Sequence, residues 1–356
     1  MAPRRAPAGR YFALEPWRVA EHEFSALDLG FLETVFALGN GNLGVRGEFE
    51  EGYPRTISGG IPGTYLNGLH IRHPINYGES APGFPLQGDH MPAVMSARRL
   101  DVAVNGHALR EGSIGEHWRE LDLRTGLLRR STQWLLPDGD LSVDVSSLVS
   151  LAHPGLLAQR IVFRAGDRPL ELDVTAWLAP GAARERDYAD PRAGGSAQEN
   201  LFWIDQWIDD EAMGAAQQAA NETVACAVAL DVEPGVAAQW REEHHAVGRR
   251  VRTRLAAGGE CALARFAVYG RDCSRQEVTA EVLGHRRAGF DALRAEQAAE
   301  WSRFWGDADI RIAGQDALQQ GLRFAAFNLR QAAGRDGRHS VPAKGLSGPG
   351  YDGHYF

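Results

Sequence analysis

The chain has 356 residues, of which 44% are hydrophobic and 24% charged, with a formal charge of −8. That length and composition fit about two globular domains. The acidic balance leaves no basic field to draw in nucleic acid or anionic lipid, and no apolar run reaches the ~18–20 residues of a membrane span.

The opening segment, Met1–Arg10, is basic but lacks the ~7–15-residue apolar stretch of a secretory signal. Cys226, Cys261 and Cys273 form no C-x-x-C pair, so neither a disulfide framework nor a cysteine zinc site is expected. Together these features point to the cytoplasm. Residues 38–52, "LGNGNLGVRGEFEEG", contain Gly39-Asn-Gly41-Asn-Leu-Gly44, formally a G-x-G-x-x-G. A dinucleotide site needs a helix directly after that pattern. Here an alternating, glycine-bearing stretch runs on to Pro54, so the expectation is a tight structural turn that binds no nucleotide. Glu48, Glu50 and Glu51 follow it. Linear spacing cannot pair carboxylates for glycosidic chemistry, and they read as surface groups. The spacing of His70 and His73, and of His244 and His245, matches no helical zinc motif, so these histidines read as solvated or core-bound.

From about residue 98 the pattern has period two. Leu100, Val102 and Val104 lead to Asn105-Gly106, a hairpin turn. Trp134 and Leu136 approach Pro137-Asp138-Gly139-Asp140, and Leu141, Val143 and Val145 leave it. Ile161 and Phe163 precede Gly166-Asp167, then Leu170, Leu172 and Val174 alternate. Thr223–Val232, Arg249–Leu255 and Leu263–Tyr269 are further strand runs, and Asp187–Gly195 is an irregular insert. Closely spaced strands and turns predict a large antiparallel sandwich. Trp17, Trp118, Trp134, Trp177, Trp203, Trp207 and Trp240 have the shape to stack on sugars, although core packing accounts for each. The run Arg241–His245 reads as a solvated face. No G-x-S-x-G elbow supports serine hydrolase chemistry.

At Ser274-Arg-Gln-Glu277 the period changes. That capping box starts a helix through Val278, Val282, Leu293, Trp301 and Trp305, weakened at Gly284 and Gly289. Ile310-Arg-Ile312 reads as a short strand. Gln315–Ala333 predicts a second helix with Leu318, Leu322, Ala325, Leu329 and Ala332 on one face, capped by Gly334. One helix cannot bury its own apolar face, so Leu318, Leu322 and Leu329 are expected to be exposed. The last stretch, Lys344–Phe356, holds four glycines, a proline and three aromatics. It reads as an ordered loop that fixes aromatic rings.

Two stretches together carry a resemblance. "FALGNGNLGVRGEFEEGYP" (36–54) with "GTYLNG" (63–68) resembles the N-terminal signature of family 65 of the glycoside hydrolases. "SVPAKGLSGPGYDGHYF" (340–356) resembles that family's approach to its catalytic barrel, and "HWRELDLRTGLLRRS" (117–131) is similar more loosely. The resemblance implies a mostly β, antiparallel N-terminal super-sandwich (1–272), a helical linker (273–312) and the start of an (α/α)₆ barrel (313–356), with the chain truncated there. It implies the N-terminal part of an inverting phosphorylase of α-linked glucosyl disaccharides, with inorganic phosphate as co-substrate and neither organic cofactor nor metal. His354, Tyr355 and Phe356 are the implied substrate-binding residues. The general-acid glutamate is expected beyond residue 356, so no catalytic residue is assigned within the chain. The implied partners are disaccharide and phosphate, with a homodimer as the candidate assembly and neither nucleic acid nor membrane. The alternatives are a trehalase-like hydrolase of the same family, or a non-catalytic carbohydrate-binding or assembly module.

Overall fold

The computed structural model describes residues 12–75, 81–84, 86–181, 201–233 and 236–348, His73 by its backbone alone. The first part is β1 (Arg18–Glu21), α1 (Leu29–Val35), β2 (Leu38–Gly39), β3 (Leu43–Val45), β4 (Thr64–Leu66), β5 (Ile71–Pro74) and β6 (Gln87–His90). Longer strands follow: β7 (Leu100–Val104), β8 (His107–Ala108), β9 (Ser113–Asp122), β10 (Leu127–Leu135), β11 (Leu141–Val149), β12 (Leu156–Ala165) and β13 (Leu170–Leu178). The strands close with β14 (Leu201–Ile208), β15 (Ala212–Ala219), β16 (Glu222–Val232), β17 (Ala237–Glu243), β18 (Ala246–Leu255) and β19 (Glu260–Arg271). Three helices end the described chain, α2 (Arg275–Ala288), α3 (Phe290–Ala308) and α4 (Asp316–Ala332).

Nine strands form one antiparallel sheet in the order β1-β9-β10-β11-β12-β19-β16-β15-β14, and five form a second, β17-β18-β13-β7-β8. Their facing side chains share one core. Val143, Ile161 and Phe163 of the larger sheet join Val102, Leu172 and Val174 of the smaller. The period-two runs therefore mark the inner faces. At Asn105-Gly106 both residues take positive φ (52° and 86°), the twist that a two-residue hairpin needs. Gly166-Asp167 lies where the chain leaves one sheet for the other, since β12 and β13 belong to different sheets. Strand β16 is buried along most of its length because the larger sheet is covered on its back as well. There Ala225, Ala227, Ala229 and Val268 pack with Val278, Val282, Phe290 and Leu293 of α2 and α3.

The capping box at Ser274 and Glu277 forms in both directions, and the helical run divides at Gly289, whose φ is 82°. Gly284 lies within an unbroken α2. Two details differ from the sequence pattern. Ile310–Ile312 is not a strand; the Gln319 side chain bonds both the Ile312 N–H and the Ile310 carbonyl, which fixes this stretch as a connector. Gly334 is not the helix cap, because α4 ends at Ala333 with extended backbone.

Helix α4 has an unusual polarity. Its buried side is Gln319, Arg323, Phe327, Gln331 and Ala332, whereas Leu318 and Leu329 are 57% and 62% exposed and Leu322 is half-buried. Phe327 stacks on Trp301 at 4.4 Å, Trp17 meets Trp305 edge-on at 5.1 Å, and the Arg323 guanidinium lies 3.7 Å over the Trp17 ring. Helix α3 and the segment before β1 thus hold α4 through aromatic and polar contacts, and Leu318 and Leu329 face outward. Among the described residues no helix is long and apolar enough to cross a membrane.

Candidate functional site

The glycine run 39–47 and the segment after α4 come together. β2 and β3 form a hairpin, with Leu38 opposite Val45 and Gly39 opposite Gly44, and a strand rather than a helix follows the turn. Each glycine admits backbone from the far end of the chain. A Cβ on Gly39 would press on the Gln331 carbonyl, one on Gly41 would overlap the Ala333 carbonyl, and one on Gly44 would overlap Leu346. Gly41 also has φ of 86°, which disfavours any side chain. The turn is therefore a cradle for residues 331–346.

Hydrogen bonds hold the segment in that cradle. The Gly41 N–H donates to the Gln331 carbonyl and the Gly39 N–H to the Gln331 side chain, both at 2.6 Å. Asn67 Nδ2 donates to the carbonyls of Gly41 (2.8 Å) and Ser340 (3.1 Å). Arg46, 5% exposed, donates to the Ser347 carbonyl and, at 2.6 Å, to that of Gly30. Asn40 fixes the turn itself. Its Oδ1 accepts the N–H groups of Asn42 and Leu43, and its Nδ2 donates to the carbonyls of Ser150 and Pro154. His339 Nδ1 lies 2.6 Å from Asp336 and its Nε2 faces Arg271 at 3.3 Å. Arginine can only donate, so Nε2 accepts and Nδ1 carries the proton toward Asp336. Two N–H groups, of Arg338 and His339, and the imidazole hold the Asp336 carboxyl down at about 2.

Beneath the cradle lies a buried charge network that sequence reasoning placed at the surface. Glu48, Glu50 and Glu51 are 8%, 5% and 2% exposed. Arg98 bonds Glu50 at 2.5 Å and lies 2.8 Å from Glu48. Arg130 bonds Glu50 at 2.8 Å and both oxygens of Glu51 at 2.7 Å. Burial raises Glu50, but the guanidinium groups of Arg98 and Arg130 outweigh it and hold the carboxyl at about 2. Glu48 goes the other way. Burial pushes it up to about 7 despite Arg98, helped by the nearby carboxylates of Glu33 and Glu50. Three carboxyls share two direct guanidinium partners, so one is best kept neutral. The only sequence signal for this was three glutamates close together in a glycine-rich stretch.

A cleft of about 590 Å³ opens between α1, β2, α4 and residues 341–347, walled by Phe31, Val35, Phe324, Leu329, Pro342 and Leu346. The expected sugar-facing residues His354, Tyr355 and Phe356 lie outside the described residues, as does the insert Asp187–Gly195. Of the candidate stacking tryptophans, Trp134, Trp177 and Trp207 are core residues, and Trp118 is 42% exposed on β9. The ring of His245 stacks on His244 at 3.8 Å. No cluster of three or more metal-ligating side chains occurs among the described residues.

The fold and the cradle define a β-sandwich built to carry a helical segment whose outer face is apolar. The chain belongs to glycosyl hydrolase family 65, whose N-terminal domain matches residues 19–304. An uncharacterised glycosyl hydrolase of Mycobacterium tuberculosis is 32% identical over 360 residues, covering 97% of this chain and 45% of that protein. The α,α-trehalose phosphorylase of Thermoanaerobacter brockii is 32% identical over 364 residues, covering 97% of this chain and 46% of that enzyme. The solved structure of a candidate kojibiose phosphorylase from the human microbiome has the same fold, with a TM-score of 0.84 at 21% identity over 97% of this chain and 46% of that one. The chain therefore spans about half the length of the curated relatives it matches.

Proposed function

We propose that this chain is the N-terminal portion of an inverting α-glucosyl disaccharide phosphorylase, converting disaccharide and phosphate to β-glucose 1-phosphate and glucose. The observation that carries the reading is the cradle. Gly39, Gly41, Gly44, Arg46 and Asn67 all act on the backbone of residues 331–347, which His354, Tyr355 and Phe356 follow in the sequence. A support of that kind suits a loop that must place side chains against a sugar, because catalytic rate falls steeply when such groups shift by about an ångström. Trehalose, maltose and kojibiose phosphorylases among the relatives favour phosphorolysis. In that reaction one glutamic acid, expected beyond residue 356, protonates the glycosidic oxygen. Phosphate attacks the anomeric carbon from the opposite face and inverts it. Phosphate is already nucleophilic, so a second carboxylate is not required; hydrolysis would need one to activate water.

The test is to express the chain with the coding sequence that follows residue 356 and to assay trehalose, maltose and kojibiose with and without phosphate. Phosphate-dependent release of β-glucose 1-phosphate is expected, and residues 1–356 alone should give none. In the longer protein, His354→Ala or Phe356→Ala should lower kcat/KM on the order of 10²-fold with the fold retained. Phosphate-independent glucose release would instead establish the hydrolase, and turnover by 1–356 alone would overturn the assignment.

A further inference from the structure

The glycine hairpin grips the segment after α4 at Gln331, Ala333 and Leu346, and a second grip, made of side chains, takes the turn between them. The Asp336 carboxylate closes that turn on itself. Its Oδ1 accepts the N–H groups of Arg338 (2.9 Å) and His339 (3.0 Å), and its Oδ2 faces the imidazole Nδ1 at 2.6 Å. The remaining ring nitrogen, Nε2, meets Arg271 at 3.3 Å. The His339 ring lies so close to Gly68 that a Cβ there would overlap it. Arg271 is the last residue of β19, and its donors fan out from the sheet. Nε donates to Glu222 of β16 at 2.8 Å, Nη2 to the same carboxylate, and Nη1 to the Asn67 carbonyl at 2.9 Å as well as to His339. One guanidinium thus joins two strands of the large sheet, the stretch after β4, and the turn 336–340.

We propose that Arg271 is a positioning residue for the closing loop, acting through His339, whose Nε2 it engages to fix the 336–340 turn against the sheet. Hydrogen-bond chemistry makes this clasp specific to one tautomer. Arginine has donors and no acceptor, so an Nε2–H would face a cation with nothing there to receive it. The Nδ1–H form serves both neighbours at once, donating to Asp336 and accepting from Arg271. Lysine could not replace the arginine, because a single ammonium cannot reach Glu222, Asn67 and His339 from one planar fork. The hairpin grips backbone and is indifferent to the side chains of the segment it holds, whereas this clasp depends on His339. Residues 349–356 follow it in the sequence. The consequence for turnover rests on the phosphorylase reading, while the clasp itself is a property of this chain.

Three variants separate the clasp from simple packing. Arg271→Met removes the donors and leaves Glu222 with a side chain 34% exposed, so no charge is trapped in the fold. His339→Asn keeps a donor in the place of Nδ1 and loses the acceptor. His339→Gln puts its amide oxygen in the place of Nε2. Hydrogen–deuterium exchange of the 356-residue chain should accelerate about tenfold at Gly334, Arg338 and His339 in Arg271→Met and His339→Asn, and less than about threefold in His339→Gln. Strand β12, inside the large sheet, should keep its protection in all three. Nitrogen NMR of the unaltered chain should place the His339 proton on Nδ1. In the longer protein, assayed with the disaccharide it turns over, Arg271→Met and His339→Asn should lower kcat about tenfold with KM changed less than about twofold, and His339→Gln should recover most of the loss. A proton on Nε2, unaltered exchange in Arg271→Met, equal exchange in His339→Asn and His339→Gln, or faster exchange with unchanged kcat would each overturn the proposal. A longer protein without phosphate-dependent turnover would instead remove the phosphorylase reading, and the exchange and NMR results would still decide the clasp.

Discussion

The inner face of the nine-stranded sheet has two kinds of cover, and the interior differs accordingly. Where the five-stranded sheet lies over it, the interface is Val143, Ile161, Phe163, Leu172 and Val174. Where the irregular arm 46–51 lies over it, the same face presents Arg119, Arg130 and Gln159. A sheet satisfies its own backbone through its ladder, so its side chains are free to be apolar. The arm has no ladder, and its carbonyls need donors. Arg98 supplies those of Arg46 and Glu48, and Arg119 that of Gly47. Buried guanidinium groups in turn require Glu21, Glu50 and Glu51. The charge network follows from placing irregular backbone inside the domain, and that backbone is what supports the cradle.

The largest effects should come from breaking either cover, with different signatures. Phe163→Ala and Arg130→Met should each destabilise by about 3–5 kcal/mol, the first by leaving a cavity and the second by leaving Glu51 buried without its partner. Urea denaturation measures both. Adding Glu51→Gln should recover part of the loss in Arg130→Met and none in Phe163→Ala. Equal behaviour of the two double variants would erase the distinction between the regions.

A smaller effect concerns pH. Glu48 has a folded pKa of about 7 against an ordinary 4.5, so the unfolded chain loses this proton first as pH rises. The stability from burying the neutral acid is complete below 4.5, declines between 4.5 and 7, and is absent above, a change of about 3 kcal/mol. Glu50 has the opposite sign, and its contribution is present above the ordinary 4.5 and is lost as pH falls toward about 2. Glu48→Gln should flatten the profile between 4.5 and 7 while leaving the acid limb. An unchanged slope in that window would show that Glu48 is already ionised in the fold.

The apolar alternation and the capping box made the sheets and helix α2 legible in the sequence, because both periods depend on neighbours in the chain. The charge network was not legible for the opposite reason. Glu48, Glu50 and Glu51 meet Arg98 and Arg130, which lie some 50 and 80 residues further along the chain. Nothing local separates a buried carboxylate with a distant partner from a solvated one. The glycine run was readable as a turn, but its purpose depends on residues 331–346. Helix α4 shows the same limit. Its leucines are the exposed side, and its buried side is read only once Trp17, Trp301 and the β2–β3 hairpin are in place. The smallest effect belongs there, and Leu329→Ala should change the stability of this chain by less than about 0.5 kcal/mol in thermal unfolding. A loss above about 2 kcal/mol would mean that this face is already packed.

The cradle is tested most directly by hydrogen–deuterium exchange on Gly44→Val, compared with the unaltered chain. The added side chain must displace Leu346, so exchange should accelerate across 334–348 while β11 and β12, held by their own ladder, keep their protection. Unchanged exchange at 334–348 would contradict the claim that the glycine hairpin positions the segment leading to the closing loop.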